Sequence, residues 1–307
     1  MNSSTSNFKG YLNGYATVLL IGVIGFCAGS EFLVRTVYAP KNSFDDIRAG
    51  LYASNAAYGA FADSRGANGL KSSPNFENFS TAGDNLNTIL AKAQIFSARP
   101  GVTGIVLQAD PHHFASYRLE RDQSAIQQDL IDNEQHLIQF LRPVYRQYIL
   151  SYWSASLKEL FMGSPKHSEA GGHSLSKIVR LTDLSEAVVK QKTSIRAGQQ
   201  IPIDSFERAK FAPQYKMAVD EFLRQGLKVC LVTFPVSETY RTYSNGEATY
   251  QKAKDFYAGL GRTTSAKYVD LSAIFSDALF SDPDHLNVEG AEKLTDIVYS
   301  SCFGTAQ

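Results

Sequence analysis

The sequence predicts an α/β protein, a parallel sheet with helices on both faces, carried behind one membrane-spanning helix. Strand-like and helix-like patterns alternate from about residue 55 to the end, the order that builds parallel sheets. A charge-free stretch of 21 residues separates Lys9 from Glu31 and is almost wholly apolar from Ala16 to Ala28. At 307 residues, 44% hydrophobic and 20% charged, the chain can bury one large core or two small ones and is too apolar for general disorder.

The apolar stretch comes first. At ~1.5 Å per residue it extends about 31 Å, matching the hydrocarbon thickness of a bilayer. Tyr11 and Tyr15 stand where interfacial aromatics belong, and Arg35 follows Glu31 by one helical turn, so the two can pair. A cleaved signal peptide would need a shorter apolar run, more early cations than Lys9 and a small-residue cleavage site; Phe26 before Cys27 also disfavours a lipoprotein site. The expectation is a retained anchor: a cytoplasmic tip and helix over 1–38, a linker over 39–54 and an α/β domain over 55–307. Charge alone leaves the orientation open, since Lys9 and the terminal amine oppose Arg35 and Lys41.

Within the domain, AAYGAFADS (56–64) reads as a strand entering a loop and NFENFSTAG (75–83) as a second strand ending in Gly. DNLNTILAKAQIF (84–96) has helical spacing with Asp84 as its cap, and TGIVLQAD (103–110) reads as a third strand. A helical insertion is expected at about 120–225. Its aromatic run around Tyr145, Tyr148, Tyr152, Trp153 and Phe161 reads as helix core rather than a stacking surface. MAVDEFLRQG then gives a helix with a Gly stop, KVCLVTF a buried strand, ATYQKAKDFYAGLG a helix, KYVDLSAIF the last strand and GAEKLTDIVYSSCF the closing helix.

Thirty basic and thirty acidic residues balance, which argues against a nucleic-acid partner. Cys27, Cys230 and Cys302 are too few for a disulfide framework and lie in apolar surroundings, so each reads as a small hydrophobe. His167, His173 and Glu169 share a loop but lack a spacing that sets a metal geometry; no metal or cofactor is expected.

In open parallel sheets, reactive groups collect at the carboxyl ends of the strands. The first strand ends in Ala62-Asp63-Ser64-Arg65-Gly66, where a serine hydroxyl and its own backbone N–H can face one point. Before the closing helix stands Asp282-Pro283-Asp284-His285, in a loop that Pro283 stiffens. A carboxylate there can fix the imidazole tautomer and leave the other ring nitrogen free to take a hydroxyl proton. The same D-x-x-H spacing recurs at Asp110-Pro111-His112-His113, and spacing does not choose between the copies.

Taken together, D-S-x after the first strand, Gly after the second and D-x-x-H before the last helix resemble the SGNH (GDSL-like) hydrolase superfamily. More narrowly, EFLVR (31–35), ADSRG (62–66), NFSTAGDN (78–85), VLQADPHHF (106–114), VTFPVSE (232–238) and DPDHLNVEGAEKL (282–294) resemble membrane-anchored SGNH-like proteins associated with O-acylation of bacterial envelope polysaccharides. The resemblance implies a three-layer, flavodoxin-like fold with Ser64 as nucleophile, His285 as general base and Asp282 as its orienting partner. Ser64 and Gly83 would supply oxyanion N–H groups. Two departures stand out: Ala62 replaces the usual Gly, and the third strand ends in Asp110 instead of Asn, so either Asn85 or a histidine substitutes or activity is low or absent. An ionised Asp110 would oppose the oxyanion. Arg65, Asp110, His112 and His113 are candidate substrate contacts, although Arg65 could instead form a solvated pair with Asp63 and the DPHHF loop could simply cap its strand. The implied activity is that of a serine acyltransferase or esterase acting on acylated polysaccharide or an acyl donor, with its domain outside the cytoplasmic membrane and an integral membrane O-acyltransferase as partner. The alternative is a non-catalytic scaffold or polysaccharide-binding component.

Overall fold

A computed structural model of the chain describes residues 5–41, 44–132, 137–162, 180–208 and 210–304. Five short strands, β1 Tyr58–Phe61, β2 Phe76–Asn78, β3 Gly104–Gln108, β4 Lys228–Thr233 and β5 Lys267–Asp270, form a wholly parallel sheet in the order β2-β1-β3-β4-β5. The central runs GIVLQ and KVCLVT are nearly continuous in apolar residues because a strand covered on both faces has no polar side to present. All of β3 is buried. Alternate side chains leave on opposite faces. Ala60, Val106, Cys230 and Val232 pack with Leu294 and Val298 of the closing helix Val288–Phe303. Phe61 turns the other way onto Phe79 and Phe96, each with ring centroids 5.5 Å away, and Phe96 lies on the helix Leu86–Ser97.

Local chemistry sets where these elements begin and end. The helix after β2 is capped by Asn85, whose Oδ1 accepts the Thr88 N–H at 3.1 Å, and not by Asp84. Asp84 is buried and paired with Lys92 Nζ at 2.6 Å, a partner that lies two turns along the helix. Gly226, with φ +81°, ends the helix Phe211–Arg224 where a Gly stop is expected. Much of the expected linker is helical, Phe44–Ala53; Asp45 and Asp46 occupy its first turn, where the positive end of the helix favours acids, and Phe44 and Leu51 are buried.

The chain divides into two compact units, Met1–Asp46 with Asp132–Gly171 and Ile47–Ile131 with Gly172–Gln307. In the first, the helix Thr5–Leu33 runs on into a π-helical turn, Val34–Tyr38. Its portion Gly14–Tyr38 is long and apolar enough to cross a membrane, with a mean hydropathy of 2.0, and Val18, Leu19 and Ile21 point outward. Arg35 pairs with Glu31, which also accepts the backbone N–H groups of Gln139 and Phe140, both at 3.1 Å. The aromatic run expected as the core of an insertion packs on this N-terminal helix instead. Tyr152 stacks on Tyr38 with centroids 3.8 Å apart, and Trp153 faces Phe26 while its Nε1 donates to Ser30 Oγ at 2.9 Å. The side chain of Phe161 and the segment holding His167, Glu169 and His173 lie outside the described residues.

The sheet and its site occupy the second unit. There Cys230 of β4 and Cys302 of the closing helix form a disulfide, Cα–Cα 5.5 Å and 72 residues apart. This corrects the reading of both as isolated hydrophobes. Sheet and helix pack face to face, so they align two thiols whose sequence spacing carries no sign of the pairing.

Candidate active site

In this strand order the connection leaving β1 runs to β2 on one side and the connection leaving β3 runs to β4 on the other, which opens a crevice at the carboxyl ends of β1 and β3. Ser64 sits there, half-buried, as the first residue of the short helix Ser64–Gly69. Asp63 holds that turn in place: its Oδ1 accepts the Arg65 N–H at 3.0 Å and the Gln108 Nε2–H at 2.9 Å, while Gln108 Oε1 accepts the Asp63 N–H at 2.8 Å. The amide of Gln108, at the end of β3, therefore fixes the backbone that presents Ser64.

Asp282 and His285 lie on a two-stranded hairpin, β6 Phe280–Asp282 and β7 His285–Leu286, with Pro283 and Asp284 as its turn. This is tighter than the expected loop. Asp282 Oδ1 accepts the N–H groups of Asp284 at 3.0 Å and His285 at 2.9 Å, and Oδ2 lies 2.8 Å from His285 Nδ1. Pro283 O accepts the Ser237 N–H at 3.0 Å, which ties the hairpin to the segment after β4. His285 Nε2 is 2.8 Å from Ser64 Oγ. Three side chains from opposite ends of this unit thus form one chain of hydrogen bonds, carboxylate to imidazole to hydroxyl. Burial disfavours the imidazolium, but the Asp282 hydrogen bond and the Asp284 and Asp282 charges outweigh it, so the His285 pKa is raised.

Sequence spacing treats Asp284 as a mere filler inside D-x-x-H. It is buried, its Oδ1 lies 3.6 Å from His285 Nδ1, and it is gripped by Arg196 Nε at 2.9 Å, Gln200 Nε2 at 2.8 Å and Arg65 Nη2 at 3.4 Å. Burial would raise its pKa, but Arg65, His285 and Arg196 pull it down, so Asp284 is anionic. Arg65 directly follows the serine and also reaches Asp110 Oδ2 at 3.2 Å, joining the β1, β3 and hairpin ends through one guanidinium. Asp282, Asp284 and His285 bring ligand atoms within 4.8 Å of one another. Their donors are already committed to two arginines, an amide and the serine, an environment that opposes a cation.

The four residues expected to contact substrate are all buried here. Arg65 does not form a solvated pair with Asp63; its partners are Asp110 and Asp284. Asp110 faces inward, accepting from Gln108 Nε2 at 2.6 Å and from the Phe234 N–H at 3.0 Å. Burial raises its pKa to about 6 despite Arg65. His112 is 2.8 Å from Asp63 Oδ2, and neither ring nitrogen of His113 has a hydrogen-bond partner among the described residues, so Asp110 and His113 of the second D-x-x-H do not pair as Asp282 and His285 do. Burial pushes His112 down to about 3, leaving a neutral ring that donates from Nε2. Asp63 is held well below the usual carboxylate range, in spite of its burial, by His112 and by Arg118, which also ion-pairs with it. His113 stacks on His112, and burial likewise lowers its pKa.

Arg118 bridges Asp63 and the Asp84 carbonyl, the latter at 2.8 Å, so one guanidinium spans the residue before Ser64 and the residue after Gly83. Gly83 has φ +87°, a conformation that favours glycine. Among the described residues no acceptor takes the backbone N–H of Ser64 or of Gly83. Asn85 is buried; its Oδ1 caps the helix and one N–H of its Nδ2 donates to Arg121 O at 2.9 Å. No family model matches the chain, and no curated protein matches it.

Proposed function

We propose that this protein is a membrane-anchored serine acyltransferase or esterase of the SGNH type, with an acyl-serine intermediate. The observation that carries the reading is the Ser64–His285–Asp282 hydrogen-bond chain at the carboxyl end of a parallel sheet. His285 Nε2 takes the Ser64 Oγ proton as the oxygen attacks an ester carbonyl, and Asp282 stabilises the imidazolium that forms. Collapse of the tetrahedral adduct expels the alcohol, protonated by His285. A sugar hydroxyl or water then repeats the sequence on the acyl-serine and restores the enzyme. The N–H groups of Ser64 and Gly83 are the oxyanion donors in this reading.

The strand order 2-1-3-4-5 agrees with a flavodoxin-like sheet, and the disulfide agrees with a domain held in an oxidising compartment outside the cytoplasmic membrane. The inward-facing Asp110 removes the objection that a carboxylate would confront the oxyanion. Acylated envelope or extracellular polysaccharide is the proposed substrate, with an integral membrane O-acyltransferase as acyl source. The test is labelling of the full chain in detergent by a fluorophosphonate probe. Labelling of wild type and none of Ser64→Ala is expected. No labelling of folded wild type would leave the scaffold reading.

A further inference from the structure

Arg121 takes no part in the hydrogen-bond chain above, yet its position is fixed from three directions. Asn85 Nδ2 donates to Arg121 O at 2.9 Å, Gln123 Oε1 accepts the Asn85 N–H at 2.7 Å, and Gln123 Nε2 donates to Gly83 O at 3.1 Å. The segment 121–123 is thereby sewn to the turn that carries Gly83. The guanidinium lies directly over that turn: a Cβ added at Gly83 would meet Arg121 Nη1 at 2.8 Å and Nη2 at 3.2 Å. Glycine at 83 thus serves the backbone angle and also leaves room for the arginine.

The charges around this point are unequal in their access. Asp63, Asp84, Asp110 and Asp284 are buried, each bound to an arginine or lysine. Arg121 is exposed, and no carboxylate among the described residues pairs with it. On the hairpin side, Arg196 binds Asp284 through Nε with its side chain one-third exposed, a second and partly accessible guanidinium. The acids behind this point are thus buried and paired, while Glu120 and Asp122, which flank Arg121 in sequence, are exposed, so among the described residues Arg121 stands as an unpaired cation on a rim of mixed charge. A guanidinium fork fits a carboxylate with two parallel hydrogen bonds.

We infer that Arg121 is a specificity residue that binds a carboxylate on the substrate beside the scissile ester. The inference rests on the acyl-serine reading and adds the charge class of what that site accepts. Neutral esters react without using Arg121; an ester with a carboxylate within reach gains an ion pair that is kept into the transition state, so kcat/KM rises.

The full chain in detergent is assayed with phenyl hexanoate and the phenyl monoester of adipic acid, which place no charge or one charge on the acyl side. Phenyl acetate and 4-carboxyphenyl acetate do the same on the alcohol side. Arg121→Gln is expected to lower kcat/KM about tenfold for one of the two charged esters and less than about twofold for both neutral ones, the scale of one charge-assisted hydrogen-bond pair. Arg121→Lys should recover part of the loss, and added salt should narrow the gap between wild type and Arg121→Gln. The affected charged ester tells which half of the substrate carries the carboxylate. Equal responses of charged and neutral esters to Arg121→Gln, with neutral turnover intact, overturn the inference and leave the acyl-serine reading standing. Absence of turnover of all four esters by folded wild type overturns both.

Discussion

Removing the Cys230–Cys302 bond tests the packing on which the site is built. The bond closes a loop of 72 residues between β4 and the closing helix, and that loop contains the Asp282–His285 hairpin. Restricting an unfolded loop of that length is worth about 4 kcal/mol at 25 °C on chain-entropy grounds. In a unit of this size each kcal/mol moves the melting temperature by roughly 2–4 °C, so replacing both cysteines by Ala should lower it by about 10 °C. The perturbation leaves the Ser64–His285 contact untouched below the transition. Melting of the double variant and wild type is followed in the same detergent, and free thiols in denatured, unreduced protein are counted by alkylation and mass. Wild type should show Cys27 alone. Three alkylated thiols in protein recovered from an oxidising compartment, or a double variant within about 1 kcal/mol of wild type, would refute the reasoning.

The pH dependence of acylation should rise with a midpoint above the ordinary histidine value of about 6.5, because the hydrogen bond and charges around His285 favour its protonated, inactive form. Asp282→Asn should shift that midpoint downward and slow the plateau rate by orders of magnitude, about 10⁴-fold by analogy with other triads; an unmoved profile would count against the pairing. Arg65→Leu strips the cation from buried Asp110 and weakens the hold on Asp284, at a cost of about 3–5 kcal/mol in denaturant unfolding near neutral pH. That cost should shrink as pH falls through the Asp110 pKa, already raised to about 6, because protonation removes the unpaired charge. Asn85→Ala should cost about 1 kcal/mol as a lost helix cap, and activity should fall with it as the Gly83 turn loosens, an effect read from thermal melts and ester turnover in parallel.

The parallel sheet was legible because buried strands leave unbroken apolar runs, GIVLQ and KVCLVT, between amphipathic helices with Gly stops. The residue types at the strand ends were legible too: a serine in a tight turn and a histidine three residues after an aspartate. What spacing cannot convey is which side chain meets which across the fold. Asp284 looked like filler because nothing local shows Arg65, Arg196 and Gln200 converging on it from 219, 88 and 84 residues away. Asp63 looked like an ion-pair partner for the Arg65 guanidinium, yet it accepts only that residue's backbone N–H, and Arg118 and His112 reach its carboxylate from 55 and 49 residues away. Adjacency also misassigned the cap: Asp84 and Asn85 are equivalent by propensity, and the choice falls to Lys92, which claims the acid. The aromatic run was legible as packing, but its partner, the apolar N-terminal helix, was not.

The most direct measurement is the mass of the Ser64 peptide after brief exposure of the full chain to an activated acetyl ester, followed by acid quench and proteolysis. One acetyl group on Ser64 in wild type, and none in His285→Ala, is the predicted result. Unmodified Ser64 in protein that retains its Cys230–Cys302 bond, or acetyl transfer that persists without His285, would contradict the central claim that the imidazole makes this hydroxyl a nucleophile.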